Sequence, residues 1–214
     1  MGFPVICISH TDGCGGEKIG HDVADRLGYR YVNEEIILEA ARLARVDPHI
    51  VAAAEHKQSL LERILDSLVS AQEKLGLTAL AAGIGVPASS GPSQHADRDD
   101  LRSMIRAAVG EVAKGGKAVI AAHAASLALA GRPGVLRVLV TAPDEARCSR
   151  IGNERSLSAE EAAEAVAAGD AGRREYLRSF YDVDAEIPTL YDMVLNTEIL
   201  TPEQISTMIV AAAQ

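Results

Sequence analysis

Tryptophan is absent from this 214-residue chain, and aromatic residues make up only 3% of it. Too few rings remain to build a base-stacking platform, which excludes the usual single-stranded nucleic-acid surface. Positive charge is also short. Lysine and arginine total 21 against 30 aspartates and glutamates, a net charge of −9. That balance argues against nucleic acid and acidic membrane surfaces as partners. Cysteine occurs only as Cys7, Cys14 and Cys148, an odd number without paired spacing, so neither a disulfide framework nor a zinc site is expected. No stretch approaches ~18 unbroken apolar residues, and no segment has the charged start, apolar run and cleavage site of a signal peptide. The expected location is cytoplasmic, with no membrane partner. A homodimer and a monomer are both compatible with the sequence.

Glycine, by contrast, is concentrated where it matters. Val5-Ile6-Cys7-Ile8-Ser9 reads as a buried strand and runs into His10-Thr11-Asp12-Gly13-Cys14-Gly15-Gly16-Glu17-Lys18-Ile19. Ile19, Val23, Ala24 and Leu27 follow at helical spacing. A strand opening through small residues into a helix gathers backbone N–H groups at the positive end of a helix dipole, an arrangement that favours a phosphate. Gly28 stops the helix, and a short strand is expected at 30–32.

Farther on, 33–77 is helical in pattern, with a restart near Asp47-Pro48, and 83–97 is rich in breakers and reads as a loose connection or flap. A helix over 98–114 ends at Gly115-Gly116. Strands are expected at 118–122, 135–141 and 191–196. Pro143 opens a helix carrying Arg147 and Arg150. Ser158-Ala159-Glu160-Glu161 matches a capping box that starts a long helix toward Tyr181, and Thr201-Pro202-Glu203 caps the last helix. Short apolar strands alternating with helices predict a mostly parallel sheet covered on both faces. Ligands of such sheets sit at the carboxyl ends of the strands, which puts the glycine turn, Ala122-His123 and Thr141-Ala142 on one rim.

Two phosphate-binding designs compete for the turn. A dinucleotide fingerprint needs a third glycine where Lys18 stands, and a side chain there hinders helix–strand packing. It would make the chain an oxidoreductase. A P-loop needs a lysine and then a hydroxyl after its last glycine, and here Gly16 and Glu17 occupy those places, with Lys18 one residue later. A tight turn without a ligand is the plain alternative.

Ile8-Ser9-His10, followed by Gly13-Cys14-Gly15-Gly16-Glu17-Lys18-Ile19, resembles the cytidylate-kinase-like family, whose members read Ile-Ser-Arg and then Gly-Ser-Gly-Gly-Arg-Glu-Ile. Asp170-Ala171-Gly172-Arg173-Arg174-Glu175-Tyr176 is similar to its Asp-x-x-Arg-x-x-Tyr motif, and Tyr191-Asp192-Met193-Val194-Leu195-Asn196-Thr197 to its closing Tyr-Asp-x-Val-Leu-Asn-Thr. Residues 50–100 are not matched. The resemblance implies a P-loop, nucleoside monophosphate kinase-like α/β fold. It would have a five-stranded parallel sheet in the order 2-3-1-4-5, an acceptor-binding or flap region at 33–97 and a lid at about 150–175. It also implies ATP- and Mg²⁺-dependent phosphoryl transfer to a nucleoside monophosphate, with CMP or dCMP favoured, or to another small phosphate acceptor.

The same resemblance assigns roles. Gly13, Cys14, Gly15, Gly16, Glu17, Lys18 and Ile19 would hold the donor phosphates. Lys18, Arg147, Arg150, Arg173 and Arg174 would stabilise the transferring charge, a task suited to the planar, permanently charged guanidinium. His10, Asn33, Arg42, His123 and Asp170 would face the acceptor. Asp12, Glu17 and Asp144 are the nearest carboxylates for magnesium, with none clearly marked. Where the family has arginine, this chain has His10 and His123, and imidazole is mostly neutral at pH 7. A nucleotide-binding protein with lost or altered kinase activity is therefore the second reading. Asp170 and Arg174, four residues apart, also suit a plain helix-surface pair.

Overall fold

The computed structural model describes residues 2–33, 94–122 and 124–214. The expectations for Arg42, for His123 and for most of 33–97 fall outside them. Strand β1 (Val5–His10) leads through the glycine turn to helix α1 (Gly16–Leu27) and strand β2 (Arg30–Val32). Helix α2 (Gln94–Gly115), strand β3 (Ala118–Ile120), the short helix α3 (Ala125–Ala128) and strand β4 (Val135–Thr141) follow. Helices α4 (Asp144–Arg155) and α5 (Ala159–Tyr181), a 3₁₀ turn at Pro188–Leu190, strand β5 (Met193–Asn196) and helix α6 (Pro202–Ala213) complete the chain. Helix α2 begins four residues before its expected start, β3 ends two residues early, and β5 starts two late. Helix α3 has no counterpart among the expected elements: four residues are too few to show a helical period.

The sheet is parallel throughout, in the order β2-β3-β1-β4-β5. Five strands and their order agree with the expectation, and the order differs from the 3-2-1-4-5-6 of the common dinucleotide fold. Strand β1 lies centrally, in register with β3 from Val5↔Ala118 and with β4 from Val5↔Val135. Because successive side chains point to opposite faces, a central strand must be apolar on both. Val5 and Cys7 pack with Ile105 and Val109 of α2 and Leu177 and Phe180 of α5. Ile6 and Ile8 pack on the other face with Ile19 and Val23 of α1 and Ile205 and Ile209 of α6. Burial on the α2 and α5 face raises the Cys7 thiol to about 12, so it behaves as a small apolar residue.

The alternation carries past the core to the rim. Ser9 points with Val5 and Cys7 and hydrogen-bonds Ser126 of α3 at 3.2 Å. His10 points with Ile6 and Ile8, toward α1. Helices α4 and α5 form an antiparallel pair joined by a turn at Ser156, and their start and middle close over the glycine turn.

Candidate active site

The turn is built from glycines that no other residue could replace without strain. Gly13 and Gly15 have φ of 78° and 70°, in the left-handed region. A Cβ on Gly13 would also lie 2.9 Å from the Arg147 carbonyl oxygen. Gly16 is excluded from bearing a side chain for another reason: its Cβ would sit 2.4 Å from His10 Cβ and 2.3 Å from the ring. The conflict with Cβ means that the end of β1 presses on the start of α1 whatever side chain stands at position 10. A lysine in place of Gly16, as a standard P-loop would have, does not fit this backbone.

Two guanidiniums fix the loop from behind. Arg147, only 4% exposed, donates from Nε to the Asp12 carbonyl at 2.8 Å and forks onto Asp170 at 2.8 and 2.6 Å. Arg150 donates to the Gly13 carbonyl at 3.0 Å and to Thr197 Oγ1 at 2.8 Å, and also to the Thr197 carbonyl. A trans peptide points its C=O and N–H in opposite directions. Pinning the Asp12 carbonyl on Arg147 therefore turns the Gly13 N–H to the other side of the loop. Cys14 closes the turn by donating its N–H to the Thr11 carbonyl at 3.2 Å, with its buried Sγ 3.1 Å from Thr11 Oγ1. Gly15 has the N-cap place of α1 without a side chain to cap it. The N–H groups of Gly16, Glu17 and Lys18 thus have no intrahelical acceptor. That of Ile19 donates to Gly15 at 3.2 Å, and its side chain is wholly buried. The N–H groups of 13 and 16–18 are accordingly left without a backbone acceptor, and Ile19 serves the core.

The remaining expected residues divide. Lys18 is exposed on the first turn of α1. Glu17 accepts a hydrogen bond from Asn33 Nδ2 at 3.0 Å, linking α1 to the end of β2. Asp170 spends its carboxylate on Arg147, so the helix-surface pairing with Arg174 does not form. Arg174 is exposed at a cavity of about 280 Å³ bounded by Thr141, Ala142, Asp144, Asp170 and Glu186. A second cavity, about 290 Å³, lies between the turn and α5 and is walled by His10, Asp12, Gly172 and Tyr176. Arg173 and Thr11 border both. Burial first, and then the Arg173 charge, hold the His10 imidazole below its usual value of 6.5, so the ring is neutral at pH 7. Arg155 stands 3.7 Å from Asp12 on the open surface.

Thr197, Glu186 and Tyr191 belong to the site and were not assigned roles from the sequence. Thr197 and Tyr191 sit in a recognisable motif. Glu186 lies in an irregular stretch with no pattern to mark it. Among the described residues no three His, Cys, Asp or Glu side chains group as metal ligands.

A glycine turn between the central strand and its helix, set in a parallel 2-3-1-4-5 sheet, defines a P-loop kinase-like protein. The chain belongs to the cytidylate kinase-like family, whose model matches residues 5–199. Among solved structures it is similar to an uncharacterized protein from Eubacterium ventriosum, at 11% identity and TM-score 0.62 over 97% of this chain and 96% of that one. A shikimate kinase from Acinetobacter baumannii, in complex with shikimate, matches at 13% identity and TM-score 0.49 over 97% and 91%. A dephospho-CoA kinase from Campylobacter jejuni matches at 12% and 0.38 over 97% and 96%. No curated protein sequence matches the chain. Family membership supports phosphoryl transfer, with a small-molecule acceptor, as the class of chemistry. No helix among the described residues is long and apolar enough to cross a membrane.

Proposed function

We propose that the protein transfers the γ-phosphoryl group of ATP to a nucleoside monophosphate, with CMP or dCMP favoured. The observation that carries this reading is the loop itself, whose Asp12 and Gly13 carbonyls are held by Arg147 and Arg150 so that its free N–H groups face one side. Such transfer rests on positioning and charge neutralisation, without a covalent nucleophile. The N–H groups of Gly13, Gly16, Glu17 and Lys18 bind the donor phosphates. Lys18, Arg173 and Arg174 supply positive charge around them. Arg147 and Arg150 act through the loop, keeping its donors aimed, and Asp170 acts through Arg147. His10 and Asn33 border the acceptor side. The segments 33–97 and 150–175 serve as acceptor flap and lid, the latter excluding water.

Magnesium suits this donor set, because it keeps several waters and takes one or two carboxylates with phosphate oxygens. Asp12, Glu17 and Asp144 are the carboxylates near the loop that would hold it. When bound, it neutralises charge developing on the phosphate oxygens.

A second reading, nucleotide binding with lost or altered turnover, is favoured by the closed Gly16 position and the neutral His10. Purified protein incubated with ATP, Mg²⁺ and a panel of monophosphates distinguishes them. We expect ADP release with a pyrimidine monophosphate, abolished by Arg173→Ala. Nucleotide binding without ADP release on any acceptor supports the second reading.

A further inference from the structure

Arg173 is the guanidinium shared by both cavities, and its neighbours decide which of its donors they see. Glu186, on the irregular stretch between α5 and β5, takes the Nε and Nη2 edge of the fork, with Nη2 2.9 Å from Oε1. The pair is largely withdrawn from solvent, with side-chain exposures of 24% for Arg173 and 10% for Glu186. Tyr191, itself buried at the entry to β5, donates its hydroxyl to the same Oε1. A chain of contacts thus runs from the entry to β5 through Tyr191 and Glu186 to Arg173.

A guanidinium carries five N–H donors in one plane. With one edge bonded to Glu186, the Nη1 donors remain without a protein acceptor among the described residues. Glu186 borders only the cavity beside Arg174, whereas Arg173 also borders the one against His10 and Asp12. We infer that Glu186, steadied by Tyr191, is a positioning residue that presents the Nη1 edge of Arg173 to a phosphate group at the loop. The inference rests on the phosphoryl-transfer reading only in taking phosphate as the ligand of Arg173. The geometry disfavours the opposite arrangement, in which Glu186 mimics phosphate and must be displaced. A carboxylate that is buried and held by a second donor is an anchor and not an exchangeable ligand.

Pyrophosphate binding to the full chain, followed by calorimetry well below each variant's unfolding temperature, provides the test. Wild type is compared with Arg173→Ala, Glu186→Gln, Tyr191→Phe and the double variant Arg173→Ala/Glu186→Gln. Glu186→Gln keeps the side-chain shape and one acceptor, so it guards against misfolding, and Tyr191→Phe is milder still. We expect Arg173→Ala to weaken binding about tenfold or more, the scale of a charge-assisted hydrogen bond. Glu186→Gln should give a loss of similar size and Tyr191→Phe a smaller one. The double variant should be no worse than Arg173→Ala alone, because the two residues act in series. Loss with Arg173→Ala but none with Glu186→Gln overturns the inference and leaves the functional reading standing. So does tighter binding by Glu186→Gln, which would make the carboxylate a competitor. Additive losses in the double variant assign Glu186 a merely structural part and overturn it as well. Absence of pyrophosphate binding, or binding indifferent to Arg173, removes both the inference and the reading beneath it.

Discussion

At the scale of single residues, Gly16 is the position where steric fact and chemistry meet. Its missing side chain departs from a standard P-loop but agrees with the glycine that the cytidylate-kinase-like loop has at this place. The structure gives a cause: the Cα–Cβ direction at 16 runs into the Cβ of His10 at 2.4 Å. Gly16→Ala is therefore expected to destabilise the protein by about 1–3 kcal/mol through overpacking, against at most about 1 kcal/mol returned by helix propensity. Urea unfolding would measure it. Placing the change in a His10→Ala background should leave most of the loss, since the offending Cβ remains. Full recovery in that background would show that only the imidazole is in the way.

The identity of the site residues was partly legible at this scale. Gly13 and Gly15 are marked by composition, and their positive φ explains why. Arg147 and Arg150 are marked by the family resemblance, but their spacing does not disclose that they grip the loop's carbonyls. That depends on where α4 lands after β4. Glu186 was invisible, because a lone acid in an irregular stretch is the commonest surface feature a sequence can show.

Among the elements, α5 is the most informative. Gly169 and Gly172 lie inside it at a local cost in helix propensity, which from the sequence suggests a hinge or a close backbone approach. The helix runs unbroken from Ala159 to Tyr181, started by a capping box in which Ser158 and Glu161 satisfy each other's backbone N–H. Gly169 approaches the loop, where an added Cβ would make ordinary contact with Asp12 at 3.4 Å, and Gly172 opens onto a cavity with nothing within 4 Å. Gly172→Ala should accordingly raise stability by about 0.5–1 kcal/mol, more than Gly169→Ala does. Thermal unfolding of the two variants checks the order. A fall in turnover with Gly172→Ala at raised stability would restore the hinge.

Taken whole, the molecule ties its loop to two distant parts of the chain. Arg147 joins the loop to α5 through Asp170, Arg150 joins it to the end of β5 through Thr197, and β1 delivers it from the centre of the sheet. Loop geometry and global stability are thereby coupled. Arg147→Lys keeps the charge but cannot reach the Asp12 carbonyl and fork onto Asp170 together. We expect a loss of about 1.5–3 kcal/mol in unfolding free energy, together with weaker pyrophosphate binding. A variant that lost stability while binding pyrophosphate as wild type does would separate the two and refute the coupling.

The sequence alone determined the layered α/β plan and the strand that ends in a phosphate-type turn. Period and turn chemistry act locally, between residues a few positions apart, so the alternation of apolar strands with capped helices is written directly in the chain. Its motifs also carried the family and, through it, the strand order. Only the tertiary structure decided why Gly16 must stay bare and which face of the loop Arg147 and Arg150 serve. It likewise brought Glu186 and Tyr191 to Arg173. Those are contacts between segments far apart in the chain, fixed by how β1, α4 and α5 converge, and no local pattern encodes a distance across the fold.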